Sequence, residues 1–336
     1  MDGLGHRLKG QVYGIKVATA WETIVLPPDL QSEGIEPDFG EPGNGRNEPN
    51  DHTLFRDRAG MWRLWACVRL TSVGRVLCQW QSPSLASREW TRCPGIIRCD
   101  RKAGESNVEW KGQEFIQSPY VVQANDQYYM YYGGYDTGYD RNGIPTDNYD
   151  QQEKQLCLMT SKDGVTWHRH QNGDGSSRVF WGPGAVRDPV IVKLGSRWYA
   201  YYSGHHDQNR NRAGIYVRYS DDLMQWSEWH LAHYDPQLLA NGRPCIHESP
   251  FVVEKSGLYY LLRNPGIHGG THVFVSDDPL DFGIGTEACN SRFVAHLPDV
   301  IAPELIQDSD GTTYITRINS PDGYRIQIAR LQWNEL

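Results

Sequence analysis

One short pattern recurs along this 336-residue chain and narrows the folds open to it. A small or polar residue or pair precedes a proline. A β-rich apolar run, a polar turn and an aromatic strand follow. The copies are QSPYVVQANDQYYMYYGG from Gln117, RDPVIVKLGSRWYAYYSG from Arg187, ESPFVVEKSGLYYLLRN from Glu248 and IAPELIQDSDGTTYITRI from Ile301. A weaker copy, NDHTLFRDRAGMWRLWACVR from Asn50, carries His52 in place of proline. A unit that cannot bury its own apolar face has to stack on its neighbours. Proline at the first position of a strand costs no ladder bond. The polar turns supply the left-handed positions that hairpins need.

A second mark follows each hairpin: SPSLASREW ending at Trp90, SKDGVTW from Ser161, SDDLMQW from Ser220 and SDDPLDF from Ser276. Each reads as a third strand leaving through a tight Asp turn, with an aromatic residue opening a fourth strand. Five units of four antiparallel strands predict an all-β fold, a five-bladed β-propeller around a central channel, with residues 1–336 as one domain. The prolines at 119, 189, 250 and 303 are spaced by 70, 61 and 53 residues, so the loops between units differ in length. No helical periodicity of useful length appears. The last unit runs out after the strand 324–333, and the run 11–26 is placed to add the missing strand and close the ring.

Composition excludes other classes. The net charge of -8 argues against nucleic acid as the main partner. No apolar stretch is long enough for a membrane helix. The start of the chain lacks the basic and apolar regions of a signal peptide, so a cytoplasmic location is expected, with export after loss of a leader as the alternative. Seven cysteines without a CxxC pair read as buried thiols in a reducing compartment. The 12 Trp and 19 Tyr outnumber the 8 Phe, which suits a packed β-protein and also sugar stacking. Trp62, Trp65, Trp198 and Trp229 fall on strand patterns and read as core.

In a propeller, the residues before each proline converge on one end of the channel. Here they include Asp51, Gln117, Arg187, Asp188, His247, Glu248 and Ala302. Carboxylates that face one another raise each other's pKa, and packing gains nothing from them. Glycoside cleavage does use such a set. One carboxylic acid protonates the leaving oxygen, and one carboxylate activates water or attacks the sugar.

At these residues the chain resembles the five-bladed propeller glycosidases, glycoside hydrolase family 43 and the related families 32, 62, 68 and 117. The resemblance covers the chain from about Asn50 to its end. It implies Asp51 as general base or nucleophile, Asp188 as the residue that tunes the acid and grips substrate, and Glu248 as general acid. Arg187-Asp188-Pro189 is closer to the fructan-acting families. Their nucleophile motif is absent, with PNDHT at that place, and their Glu-Cys is here Glu248-Ser249. The implied substrates are furanosides or related oligosaccharides, of the arabinofuranoside, xyloside or fructoside type. No cofactor is required. A structural calcium or sodium ion in the channel is implied through His52 or His272.

Tyr135 and Asp136, in a long polar stretch, and His205, Arg263 and Arg317 are candidate substrate contacts with Arg187, Gln117 and His247. His205, His206 and Asp207 lie too close together in the chain to serve one zinc ion readily. SKDGVTW also resembles the sialidase Asp-box, without the sialidase arginine triad. Two rival readings stand beside hydrolysis. One is a family 130-like phosphorylase using Arg187, Arg263 and Arg317 on phosphate, and the other is a non-catalytic sugar-binding propeller.

Overall fold

The computed structural model describes residues 8–36, 47–87, 89–105, 114–134, 154–205, 213–237, 242, 245–266, 269–318 and 324–336. The chain is mostly β. Among the described residues four sheets form, and in each the strands lie largely in chain order. The first unit is Glu48–Arg56, Trp62–Thr71, Gly74–Ser82 and Thr91–Ile97. The second is Glu114–Ala124, Gln127–Gly134 and Gln155–Ser161, with two short outer strands, His168–Arg169 and Arg178–Trp181, both on Gln155–Ser161. A two-residue parallel pairing, Gly74 and Arg75 with Glu114 and Phe115, merges these two units into one nine-stranded sheet. The third unit is Arg187–Leu194, Arg197–His205, Ala213–Ser220 and His230–His233; the fourth is Glu248–Lys255, Leu258–Asn264, Thr271–Ser276 and Phe293–Leu297. The fifth is Leu305–Gln307, Thr313–Ile318 and Ile326–Glu335, and the last of these also pairs with Tyr13–Val17 and Glu22–Val25 from the N-terminal region. A seven-residue helix, Thr286–Arg292, lies in the fourth unit, where the sequence showed no helical period. Seven residues are too few for a periodic signal.

The third strands end where the Ser-x-Asp marks begin. Ser161, Ser220 and Ser276 are each the last strand residue. Asp163 Oδ1 accepts from the N–H groups of Val165 and Thr166, and Asp222 Oδ1 from those of Met224 and Gln225. Asp278 Oδ1 accepts from the Leu280 N–H. These backbone donors hold Asp163 and Asp222 below the usual carboxylate range.

The same turns join neighbouring units. The carbonyl after each Asp accepts a hydrogen bond from the preceding unit: Gly164 from Gln79 Nε2 at 3.4 Å, Leu223 from Tyr131 Oη at 2.5 Å and Pro279 from Tyr201 Oη at 2.6 Å. The aromatic that follows crosses the same seam. Trp167 meets Phe55 and Trp65 edge-on, Trp226 meets Tyr131, and Phe282 meets Tyr201. Tyr131 and Tyr201 are fully buried.

Apolar clusters fill the spaces between successive units, and the fifth packs on both the fourth and the first. Ile15, Ile315, Ala329 and Leu331 belong with the third and fourth units, whereas Ile24, Val25, Ile306 and Ile328 belong with the first. Trp229 departs from its expected core place and is 39% exposed, its ring edge against Tyr216. Tyr131→Phe is expected to lower stability by about 1–2 kcal/mol by leaving the Leu223 carbonyl unpaired. Urea denaturation, with the midpoint read against an unchanged slope, measures it.

Candidate active site

Between the first and second strands of a unit the ladder slips at one place. The register breaks between Pro49 and His52, Gln117 and Tyr120, Arg187 and Val190, and Glu248 and Phe251. The proline therefore sits inside a bulge in the strand, not at its first residue, and its missing N–H removes no ladder bond there. The residue before it has positive φ: Ser118 (51°), Asp188 (55°), Ser249 (48°) and Ala302 (47°). Left-handed backbone is uncommon for these residue types, and strain of this kind gathers at functional sites.

This step turns the pre-proline side chains toward a common pocket. Asp51 and His52, Ser118 to Tyr120, Asp188 to Val190, Ser249 to Phe251 and Ala302 to Glu304 line it. The three acids do not occupy equivalent positions. The slip between Pro49 and His52 puts Asp51 where the other units have proline, one step after the place of Asp188. In the fourth unit Ser249 is the pre-proline residue, and Glu248 is equivalent to Arg187 and Gln117, one step earlier.

That offset creates a charge pair. Arg187 Nη2 donates to Glu248 Oε1 at 2.7 Å, and its Nε lies 3.6 Å from Asp188 Oδ2. Asp188 accepts from Ser118 Oγ at 2.9 Å through Oδ1, and from Ser203 Oγ and the Ser249 N–H, both at 3.1 Å, through Oδ2. Ser118 Oγ also lies 2.7 Å from Asp51 Oδ2. Burial and the neighbouring charge of Asp188 push the Asp51 carboxyl up to about 6, against the charge of Arg75. Side-chain exposure is 9% for Asp188 and 24% for Glu248, so the latter is more open to solvent.

Deeper in the pocket lies Glu304, 8% exposed, with its carboxyl raised well above the usual range by burial. Its Oε2 accepts from the Leu54 N–H at 3.4 Å. The sequence reading placed Ser118 at this face without giving it a role, and passed over Glu304, Ser203, Ser249 and Arg75. The pre-proline alignment was the available signal for Ser118 and Ser249, since they stand where Asp188 stands.

The other expected contacts separate into groups. Gln117 is buried and accepts from Arg75 Nη1. His247 has no exposed surface. Its Nε2 accepts from the Asp235 N–H at 2.9 Å and its Nδ1 lies 3.2 Å from the Cys245 carbonyl, so it braces the backbone before Glu248 and is not open to a sugar. Burial holds it neutral, well below the usual imidazole range. Arg263 is also fully buried, with donors directed to His233, Cys245 and Asp235. Arg317 donates to Gln327 and the Asp299 carbonyl and lies over Trp21. The basic cluster of Arg187, Arg263 and Arg317 that a phosphate site would need is therefore not assembled. His205 is 7% exposed, and its Nε2 accepts from the Ala185 N–H at 3.3 Å. Tyr135, Asp136, His206 and Asp207 lie outside the described residues.

Of the two histidines considered for an ion, His52 lines the pocket, and its Nε2 is 2.7 Å from Thr316 Oγ1. Burial lowers it to about 4, leaving a neutral imidazole. His272 sits in a third strand against His296 and Phe293, away from the pocket lining. Among the described residues no group of three or more His, Cys, Asp or Glu gathers in a way that could hold a metal.

No protein-family model matches the chain, and no curated protein matches it. Solved structures do. A thermostable family-43 glycoside hydrolase superposes with a TM-score of 0.60 at 18% identity, over 88% of this chain and 96% of that one. The chain shares that enzyme's fold. A family-43 β-xylosidase/α-arabinofuranosidase from a compost microbial metagenome, in complex with xylotriose, gives 0.58 at 14% identity over 85% and 92%. A family-32 β-fructofuranosidase from Bombyx mori gives 0.57 at 19% identity, over 86% of this chain and 62% of that one.

Two outcomes are expected from this geometry. Asp51 binds its proton more tightly when folded than at its ordinary value of 3.8, so its ionisation destabilises the fold as pH rises from there through about 6. Asp51→Asn is therefore expected to be more stable than wild type at neutral pH by about 1–3 kcal/mol, with the two converging in acid. Thermal melts across pH measure this. His247→Leu orphans a buried N–H and a carbonyl, and a loss of about 2–4 kcal/mol is expected in chemical denaturation.

Proposed function

We propose that this protein is a glycoside hydrolase built as a five-bladed β-propeller, the ring closed by the pairing of the N-terminal strands with Ile326–Glu335. Five chain segments, one from each unit, line one pocket, and the fifth unit packs on both the fourth and the first, which supports that architecture. The observation that carries the function is the meeting of three carboxyl groups from three units: Asp51 and Asp188 joined through Ser118, and Glu248 tied to Asp188 through Arg187.

In this reading Glu248 gives a proton to the leaving oxygen while Asp51 takes one from water or bonds the anomeric carbon. Asp188, held by three donors besides Arg187, accepts from a sugar hydroxyl and keeps the two apart in charge. The chemistry needs no cofactor. The partner is an oligosaccharide or glycoside, of the arabinofuranoside, xyloside or fructoside type, supported by the names and the bound xylotriose of the proteins that share the fold.

A panel of aryl furanosides and pyranosides tests this. One of them is expected to be turned over. Glu248→Gln is expected to lose about 10²–10⁴-fold on a substrate with a poor leaving group and much less on an activated aryl glycoside. Asp51→Asn is expected to lose activity on both. A panel without turnover, or variants equal to wild type, would overturn the reading.

A further inference from the structure

The hydrogen bonds around Ser118 fix how many protons the carboxyl cluster holds. Ser118 Oγ is 2.7 Å from Asp51 Oδ2 and 2.9 Å from Asp188 Oδ1. A hydroxyl has one proton to donate, so two bonds to two carboxyl oxygens need a second proton. Asp188 is the stronger claimant for the serine proton's acceptor place, because Ser203 Oγ and the Ser249 N–H also donate to it and Arg187 Nε lies near. The second proton then belongs on Asp51 Oδ2, which donates to Ser118 Oγ. Glu248, facing the Arg187 guanidinium at 2.7 Å, is placed as an acceptor.

We infer that in the ligand-free protein the mobile proton of the cluster rests on the Asp51–Ser118–Asp188 chain and not on Glu248, with Ser118 as the positioning residue that keeps it there. The doubly ionised pair can use the serine hydroxyl only once; the singly protonated pair uses it twice. Ser118 thus favours the protonated pair over the doubly ionised one. The charged and titratable groups acting on Asp51 from the packed elements are Arg75 and Cys67 in the first unit, Asp188 and Glu248 in the third and fourth, and Glu304 in the fifth. Arg187 acts from the third unit through Asp188 and Glu248.

The catalytic consequence rests on the hydrolase reading: Asp51 must first release its proton to solvent to serve as base, Glu248 becomes an acid only when the substrate draws Arg187 away from it and it takes up a proton from solvent, and the acid limb of turnover reports the Asp51 chain. The proton's place does not depend on that reading. Infrared difference spectra of the full chain carrying Glu304→Gln, which removes the other buried carboxyl held protonated, are titrated through the mildly acidic range and follow the carbonyl stretch of a protonated carboxyl. The band is expected to vanish in Asp51→Asn and to persist in Glu248→Gln. Its midpoint is expected to fall by about one pH unit in Ser118→Ala and to be kept in Ser118→Thr. Loss of the band in Glu248→Gln, its survival in Asp51→Asn, or an unmoved or raised midpoint in Ser118→Ala would overturn the inference. On an activated aryl glycoside the acid limb is expected to move with the same midpoint. A protein that turns over no glycoside but titrates as described would sink the hydrolase reading and leave the proton assignment standing.

Discussion

Everything at the pocket depends on a break in a β-ladder. In a regular strand, successive side chains point to opposite faces, so no two neighbouring residues can serve one site. The bulge before each proline suspends that alternation. It lets Arg187 and Asp188, consecutive in the chain, take part in one charge cluster. The proline makes the break tolerable, since it has no N–H to lose, and the left-handed residue before it bears the strain. In the first unit the slip lies between Pro49 and His52, so Asp51, not His52, takes the place of proline there.

Units that carry this step must also be held at fixed angles to one another. The Ser-x-Asp turns supply that hold. Each turn is made rigid from within by its Asp and fastened from outside by a buried hydroxyl or amide of the preceding unit. The aromatic that follows fills the same seam. Local turn chemistry and long-range packing therefore act at the same residues, which is the consistency expected of a foldable sequence.

The repeat, the turn marks and the meeting of Asp51, Asp188 and Glu248 were legible in the sequence because each rests on a local pattern. The alignment of Glu248 with Asp188 was not right, because proline follows Glu248 by two residues and the bulge position belongs to Ser249. Which polar residues would be consumed by the interior was also hidden. Arg263 and His247 look like any exposed polar residue in a linear reading, and only the fold reveals them as fully buried braces. Ser118 is placed at the converging face by its position before a proline, but its station between two carboxyl groups emerges only in the fold. Glu304 was missed because it follows proline instead of preceding it, yet it lines the same pocket.

The unit that contributes Ala302 and Glu304 to the pocket contains Tyr13–Val17 and Ile326–Glu335 side by side. Segments some three hundred positions apart must meet before that wall exists, and such distant pairing is slow to form. The same pairing ties the shelter around Asp51 to contacts between the two ends of the described chain, so a change at Tyr13–Val17 acts on the pocket although no residue of that strand lines it.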